Sequence, residues 1–421
     1  MNFPSEHDFG LLLFQLFIIL SAALTLGELF RRLGQAQVIG EVTAGILLGP
    51  SVLGALSPAL SASLFPSSQT QLLGALAWLG SVFLLLVAGT EVDLAAIRRE
   101  RRVILWTSLF SILVPFGLGF GFAMALPDDY LRAPSQRLIF AFFIATVLSI
   151  SAIPLVAKIL MDLNLLKTAA GQTIVGCAVI NDLLGWIFFA IILTMMTESI
   201  GGEVSAAGVA VLTLGFSLVT LTAGKQLTQR LFAAFGRRGF PAEGILGLAV
   251  LVAFFCAAVT QWIGIHAIFG AFLAGVMIGE TGEIINRTRE TLRNLAFYVF
   301  SPVFFASMGL RANFIAEFDL FLAASAVALA CIGKIGGATL GAVLAGKPRT
   351  EAMAIGFGLL PQGAMGMILA FLALQYGLIS DKIFVALLIA AIATSVLAGP
   401  LIQWMAPAIK QTSNGAERLT G

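Results

Sequence analysis

Charge is what this chain has least of. Asp, Glu, Lys and Arg make up 11% of its 421 residues, while 59% are hydrophobic and the mean hydropathy is +1.00. No soluble core absorbs that much apolar surface, so a soluble globular protein is excluded and an all-α polytopic membrane protein is expected. Cysteine is scarce as well. The three present, Cys177, Cys256 and Cys331, fall inside apolar runs, where they read as small packing residues and offer no disulfide or metal framework. His7 and His266 are the only histidines, too few for a histidine metal cluster, and His266 reads as a packing or capping residue. No phosphate-binding loop with a strand before it and a helix after it is found, which argues against ATP-driven pumping and against a nucleotide; no cofactor is expected. The opening MNFPSEHDFG lacks the basic region of a secretory signal, and Arg31 and Arg32 follow the first apolar run at once, so that run reads as a retained span.

What fills the chain instead is a series of thirteen apolar windows, near 11–30, 38–56, 71–90, 103–126, 136–160, 171–196, 204–228, 243–262, 265–281, 294–310, 318–346, 352–377 and 382–406, each a candidate transmembrane helix. With the N-terminus outside, cytoplasmic segments hold Arg31, Arg32, Arg98, Arg99, Arg101, Arg102, Lys158, Lys167, Lys225, Arg230, Arg237, Arg238, Arg287, Arg289, Arg293, Lys347, Arg349, Lys410 and Arg418. Only Arg132, Arg137, Arg311 and Lys382 remain outside, with Lys334 in the membrane. This asymmetry follows the positive-inside rule and places the C-terminus in the cytoplasm. The run Arg98-Arg-Glu-Arg-Arg102, lying beside a span, is an orientation and lipid-headgroup signal rather than a nucleic-acid patch.

Spans 1–6 and 8–13 then run in opposite orientations about a connector, the arrangement of inverted repeats. Ala44-Gly-Ile-Leu-Leu-Gly49 in span 2 is echoed by Ala274-Gly-Val-Met-Ile-Gly279 in its counterpart, span 9, although such small-aliphatic strings are common in membrane helices. The prolines give a stronger correspondence. Pro154 interrupts span 5 within Ser149-Ile-Ser-Ala-Ile-Pro154, and Pro361 interrupts the matching span 12 within Gly356-Phe-Gly-Leu-Leu-Pro-Gln-Gly363. Proline lacks an N–H and clashes with the carbonyl four residues back, here those of Ile150 and Phe357, so both helices should unwind. Broken helices at matching positions of two repeats point to a transporter binding site, because unwound backbone survives in a membrane only where it lines a cavity or is buried in protein.

Asp182 lies near the middle of the otherwise uncharged run Thr173–Met196, directly after Asn181. A charge at the centre of a spanning helix costs about 2.5–3.5 kcal/mol even on insertion scales, so such a residue faces a cavity and handles ions or protons. The alternative is a structural carboxylate bonded to neighbouring helices. Read functionally, Asp182 holds a proton and a cation in turn, with Asn181 orienting it or shaping the site. Lys334 is either a fixed positive charge in the core or a participant in proton transfer. Ser149 and Ser151 could add hydroxyl ligands for a hard cation, although serine in a membrane helix often bonds its own backbone; Gln362 is a weaker candidate of the same kind. Glu28 is placed to pair with Arg31 and Arg32 on one helix face, while Glu41, deeper in span 2, is left open.

Together these segments resemble the cation:proton antiporter superfamily, in the monovalent cation:proton antiporter branch that contains bacterial Na+/H+ and K+/H+ antiporters and plant cation/H+ exchangers. The resemblance is carried by Ile39-Gly-Glu-Val-Thr-Ala-Gly-Ile-Leu-Leu-Gly-Pro50, Ser149-Ile-Ser-Ala-Ile-Pro-Leu-Val-Ala-Lys-Ile-Leu160, Val179-Ile-Asn-Asp-Leu183, Gly264-Ile-His-Ala-Ile-Phe-Gly-Ala-Phe-Leu-Ala-Gly275, Phe304-Phe-Ala-Ser-Met-Gly-Leu310 and Gly333-Lys334. It implies a homodimer with crossed broken helices. Its scaffold would comprise 1–102 and 243–310 and its ion-transporting core 103–196 and 311–406, with a connector at 197–242 and a cytoplasmic tail at 407–421. The core would move as an elevator. Asp182 matches the family's ion-carrying aspartate, Asn181 the position before it, Lys334 the core lysine and Ser151 the hydroxyl near the first break. Electrogenic members of the family carry two adjacent acids. Here the first is Asn181, which implies electroneutral exchange of one proton for one cation unless Lys334 or Glu41 also cycles a proton. The family's potassium efflux systems add a nucleotide-binding regulatory domain, and none is expected in this polypeptide. A sodium-coupled organic-solute symporter and a non-transporting sensor subunit are the competing readings.

Overall fold

The computed structural model describes residues 6–66, 70–90, 101–151, 155–156, 159–160, 163, 165–166, 168–198, 206–238, 241–263, 267–279 and 283–420. Pro154, Arg98, Arg99, Lys158, Lys167 and His266, which the sequence singles out, lie outside them. Among the described residues every regular element is helical. The principal helices are α1 (Glu6–Arg32), α2 (Gln37–Leu48), α3 (Thr70–Thr90), α4 (Arg101–Ala125), α5 (Arg137–Ser149), α6 (Ala169–Glu198), α7 (Ala206–Val219), α8 (Lys225–Arg237), α9 (Ala242–Ile263), α10 (Ala267–Gly279), α11 (Glu283–Leu295), α12 (Ser301–Arg311), α13 (Leu320–Leu344), α14 (Arg349–Gly358), α15 (Gly363–Gln375) and α16 (Asp381–Thr420).

Eight stretches among the described residues are long and apolar enough to cross a membrane, and the apolar helices Pro134–Ser149, Ala267–Gly279 and Met365–Gln375 are shorter. About 20 residues at 1.5 Å each are needed to cross 30 Å of hydrocarbon. Two of the thirteen windows fall short for a visible reason, because their helices stop part way. In the 136–160 window α5 ends at Ser149, and Ile150 is extended at φ −87° and ψ 149°. In the 352–377 window α14 ends at Gly358 and α15 begins at Gly363. Pro361 sits in that gap, and Gly363 restarts the helix at φ 51°, a left-handed conformation that glycine adopts without steric cost.

The chain divides into two compact units, Met1–Val92 with Leu212–Phe318, and Asp93–Val211 with Asp319–Gly421. In the first unit α1 packs on α2, α2 on α12, and α3 and α9 on α10. Lipid tails are as apolar as leucine, so close packing rather than water exclusion decides which helices associate. A Cβ on Gly45 would stand 2.0 Å from the Ala306 carbonyl oxygen, and one on Gly309 would stand 2.3 Å from that of Val42. The α2–α12 seam therefore brings backbone against backbone. Glu41 is buried in this unit and accepts a hydrogen bond from Ser301 Oγ at 2.6 Å. Glu28 pairs with Arg31 at 2.6 Å and with Arg32 at 3.0 Å.

In the second unit α13 packs against α4, α6 against α4, α5 and α14, and α16 against α13, α14 and α15. Asp319 caps α13 by accepting from Leu322 N at 3.0 Å, and the same carboxylate accepts from the Tyr130 hydroxyl at 3.3 Å. Capping satisfies one of the orphan N–H groups of the first turn and ties the start of the helix that carries Lys334 to the turn before α5.

Candidate functional site

Asp182 and Asn181 lie near the middle of α6, 4% and 1% exposed. The last carbonyls of α5 have no partner in their own helix and form the negative end of its dipole, and side chains from elsewhere in the unit take them up. Lys334 Nζ, fully buried, donates to the Ser149 carbonyl, and Gln362 Nε2 donates to that of Val147 at 3.3 Å. The second break is held in the same way. Ser151 Oγ donates to the Leu359 carbonyl at 2.6 Å, which joins the end of α5 to the gap between α14 and α15. Ser151 in turn lies 3.5 Å from Asn181 Nδ2, and Lys334 interacts electrostatically with Asp182.

Asp182, Asn181, Ser151, Lys334 and the Ser149 carbonyl are thus linked within one unit, and Gln362 holds the same end of α5. The Ser149 hydroxyl faces differently: it donates to the Ala145 carbonyl one turn back, at 2.6 Å, and approaches that of Ile112 at 3.2 Å. Such back-bonding is common for serine in a helix. Glu41 belongs to the other unit. Sequence reasoning missed Ser111 of α4, which lies 3.1 Å from Asn181 Nδ2, and Thr394 of α16, whose hydroxyl lies 3.5 Å from the Gln362 backbone N. The available signal was the cluster of Thr107, Ser108 and Ser111 in an otherwise apolar stretch, all of it buried.

Among the described residues no three His, Cys, Asp or Glu side chains come together. The centre is a single carboxylate amid an amide, hydroxyls, carbonyls and a lysine. It can hold a proton, or a cation that accepts oxygen ligands.

Broken helices whose ends are held by polar side chains, beside a buried acid in an apolar helical protein, are the pattern of multi-pass membrane transporters. The chain belongs to the sodium/hydrogen exchanger transmembrane family, whose model matches residues 17–407. It is 31% identical over 405 residues to the Na(+)/H(+) antiporter NhaS4 of Synechocystis sp., covering 94% of this chain and 98% of that one. It is 28% identical over 409 residues to the Na(+)/H(+)-K(+) antiporter GerN of Bacillus cereus, with 93% and 95% covered. It matches Cation/H(+) antiporter 17 of Arabidopsis thaliana at 32% over 408 residues, 95% of this chain but 49% of the relative, so it spans about half the length of that plant protein. The structure of the sodium proton antiporter MjNhaP1 from Methanocaldococcus jannaschii aligns with a TM-score of 0.67 at 13% identity, covering 96% of this chain and 99% of that one, and shares the fold. These relatives are transporters, not enzymes.

Proposed function

We propose that this protein exchanges a monovalent cation, Na+ or K+, for H+ across the cell's inner membrane, with Asp182 holding proton and cation in turn. The observation that carries this reading is one buried carboxylate beside two broken helices whose ends are held by side chains. A carboxylate bearing a proton is neutral, and one paired with a monovalent cation is neutral as a pair. Unloaded, it would cross as a buried ion with Lys334 to answer its charge, and desolvating such a pair is costly. Only the loaded forms cross, and that restriction couples the two ions. Asn181 takes no proton, so the cycle moves one proton per cation and is electroneutral. Lys334, anchored on the Ser149 carbonyl, stays a fixed charge. The unit containing Asp182 serves as the moving part of an elevator and the other as the scaffold of a homodimer. Thirteen spans would put the termini on opposite sides, and the Lys and Arg bias would put the N-terminus outside and the C-terminus in the cytoplasm. Relatives named as Na(+)/H(+), Na(+)/H(+)-K(+) and K(+)/H(+) antiporters support both cations as substrates.

The test is cation-driven proton movement in liposomes holding the purified protein and a trapped pH dye, with sodium, potassium and lithium pulses. Wild type should respond, Asp182→Asn should not, and no transport current should accompany the exchange. Undiminished exchange by Asp182→Asn would overturn the assignment of the site, and a current reversing with both ion gradients would overturn electroneutrality.

A further inference from the structure

The functional centre contains a chain of hydrogen bonds that begins and ends on backbone. Ser111 Oγ donates to the Ser108 carbonyl at 3.0 Å. Asn181 Nδ2 lies 3.1 Å from Ser111 Oγ and 3.5 Å from Ser151 Oγ, and Ser151 Oγ donates to the Leu359 carbonyl at 2.6 Å. All three side chains are buried, with Ser111 and Ser151 wholly inaccessible.

The hydrogens available give this chain a favoured direction. A carbonyl only accepts, a hydroxyl brings one hydrogen, and the amide nitrogen brings two. With an acceptor at each end, each serine gives its hydrogen outward to a carbonyl and takes one from the amide nitrogen between them. Turned over, the amide would set its oxygen between two hydroxyls whose hydrogens the nearer carbonyls take, and turning Ser151 to meet it would take that hydroxyl from the Leu359 carbonyl. Ser111 Oγ also approaches Asn181 Oδ1, but at 3.3 Å, farther than the Ser108 carbonyl. Ser151 can hold the amide from the side of the helix breaks alone. Ser111 holds it from α4, and the two contacts together favour the orientation that turns the nitrogen toward the serines.

We propose that Ser111 is a positioning residue: by accepting an amide hydrogen from Asn181 it sets which end of that amide meets a cation at Asp182, and with it the affinity for the cation and the discrimination among Na+, K+ and Li+. This rests on the reading of Asp182 as the ion site. Ser111 touches no ion. It acts through Asn181, so its loss should change how tightly and how selectively the cation is held rather than how fast a saturated site turns over.

The experiment measures exchange in liposomes as a function of Na+, K+ and Li+ concentration for wild type, Ser111→Ala, Ser111→Thr, Ser111→Cys and Asp182→Asn. Removing one neutral hydrogen bond should raise the half-saturating cation concentration of Ser111→Ala roughly three- to tenfold, alter the ratio among the three cations, and leave the maximal rate within about twofold. Ser111→Thr should restore both constants. Ser111→Cys, near-isosteric but a weaker acceptor, should fall between. Unchanged half-saturation and cation ratios in Ser111→Ala would overturn the proposal. So would a fall in maximal rate shared by all three Ser111 variants, which marks a packing role. Exchange retained by Asp182→Asn would instead overturn the ion-site reading, whatever Ser111 does.

Discussion

Each compact unit buries a carboxylate, and their surroundings have little in common. Glu41 sits on α2, its oxygen held by Ser301, in the unit where α2 and α12 touch backbone to backbone. Asp182 sits on α6 in the unit where two helices stop and restart, among polar side chains that hold the loose carbonyls. Burial alone therefore does not identify an ion carrier. Exchange of a bound ion needs backbone and side chains that can rearrange around the acid, whereas a seam of contacting backbones offers one arrangement only.

The sharpest way to break that comparison is at the acids themselves. Asp182→Asn should reduce exchange to the level of protein-free liposomes for every cation, because the amide binds neither proton nor cation as a charge. Next in size is the seam. In Gly309→Ala the new methyl would meet the Val42 carbonyl oxygen at 2.3 Å and the Ile46 nitrogen at 2.7 Å. Backbone cannot swing away as a flexible side chain does, so the variant should lose about 3 kcal/mol, the upper part of the usual overpacking range. Gly74→Ala is the control, since nothing lies within 4 Å of its Cβ position; thermal unfolding in detergent should separate the two. Smaller again is Ser151→Ala in the other unit. It removes the donor to the buried Leu359 carbonyl and should cost about 1–1.5 kcal/mol, read by the same unfolding measurement, together with weaker cation affinity.

The two regions also differ in how much the sequence discloses. Pro361 announces a break because proline chemistry is local, and α14 does end three residues before it. The depth of Asp182 and Lys334 is readable because a lone charge in an apolar run has few explanations. The echo of Ala44–Gly49 in Ala274–Gly279 also has a physical cause. A Cβ on Gly275 would stand 2.1 Å from the Leu86 carbonyl oxygen and one on Gly279 would stand 2.7 Å from that of Thr90, the same close approach that Gly45 makes to Ala306. What the sequence withholds is partnership. A serine looks the same whether its hydroxyl bonds back within its helix, as Ser149 does, or across to another, as Ser151 does. Ser111 stands 70 positions from Asn181, and only the packing of α4 on α6 brings them together. Lys334 was visible as a buried charge, but its use of the Ser149 carbonyl depends on where α5 stops.

The finest test of the comparison is Glu41→Gln. Glutamine has nearly the same shape and keeps a carbonyl oxygen to accept from Ser301, so the 2.6 Å hydrogen bond survives and the only group lost is the titratable one. The Gln37 side chain, one turn earlier on α2, also hydrogen-bonds Glu41 and can meet the new amide. If this carboxylate serves the seam alone, exchange should stay within about twofold of wild type and stability should move by less than about 1 kcal/mol, the scale of one neutral hydrogen bond. The measurement is proton release per cation taken up, with the Asp182 site intact. A loss of exchange, or a drop in protons moved per cation, would put Glu41 in the proton cycle. The rigid seam would then have to pass a proton without rearranging, and one-for-one exchange through Asp182 alone would no longer hold.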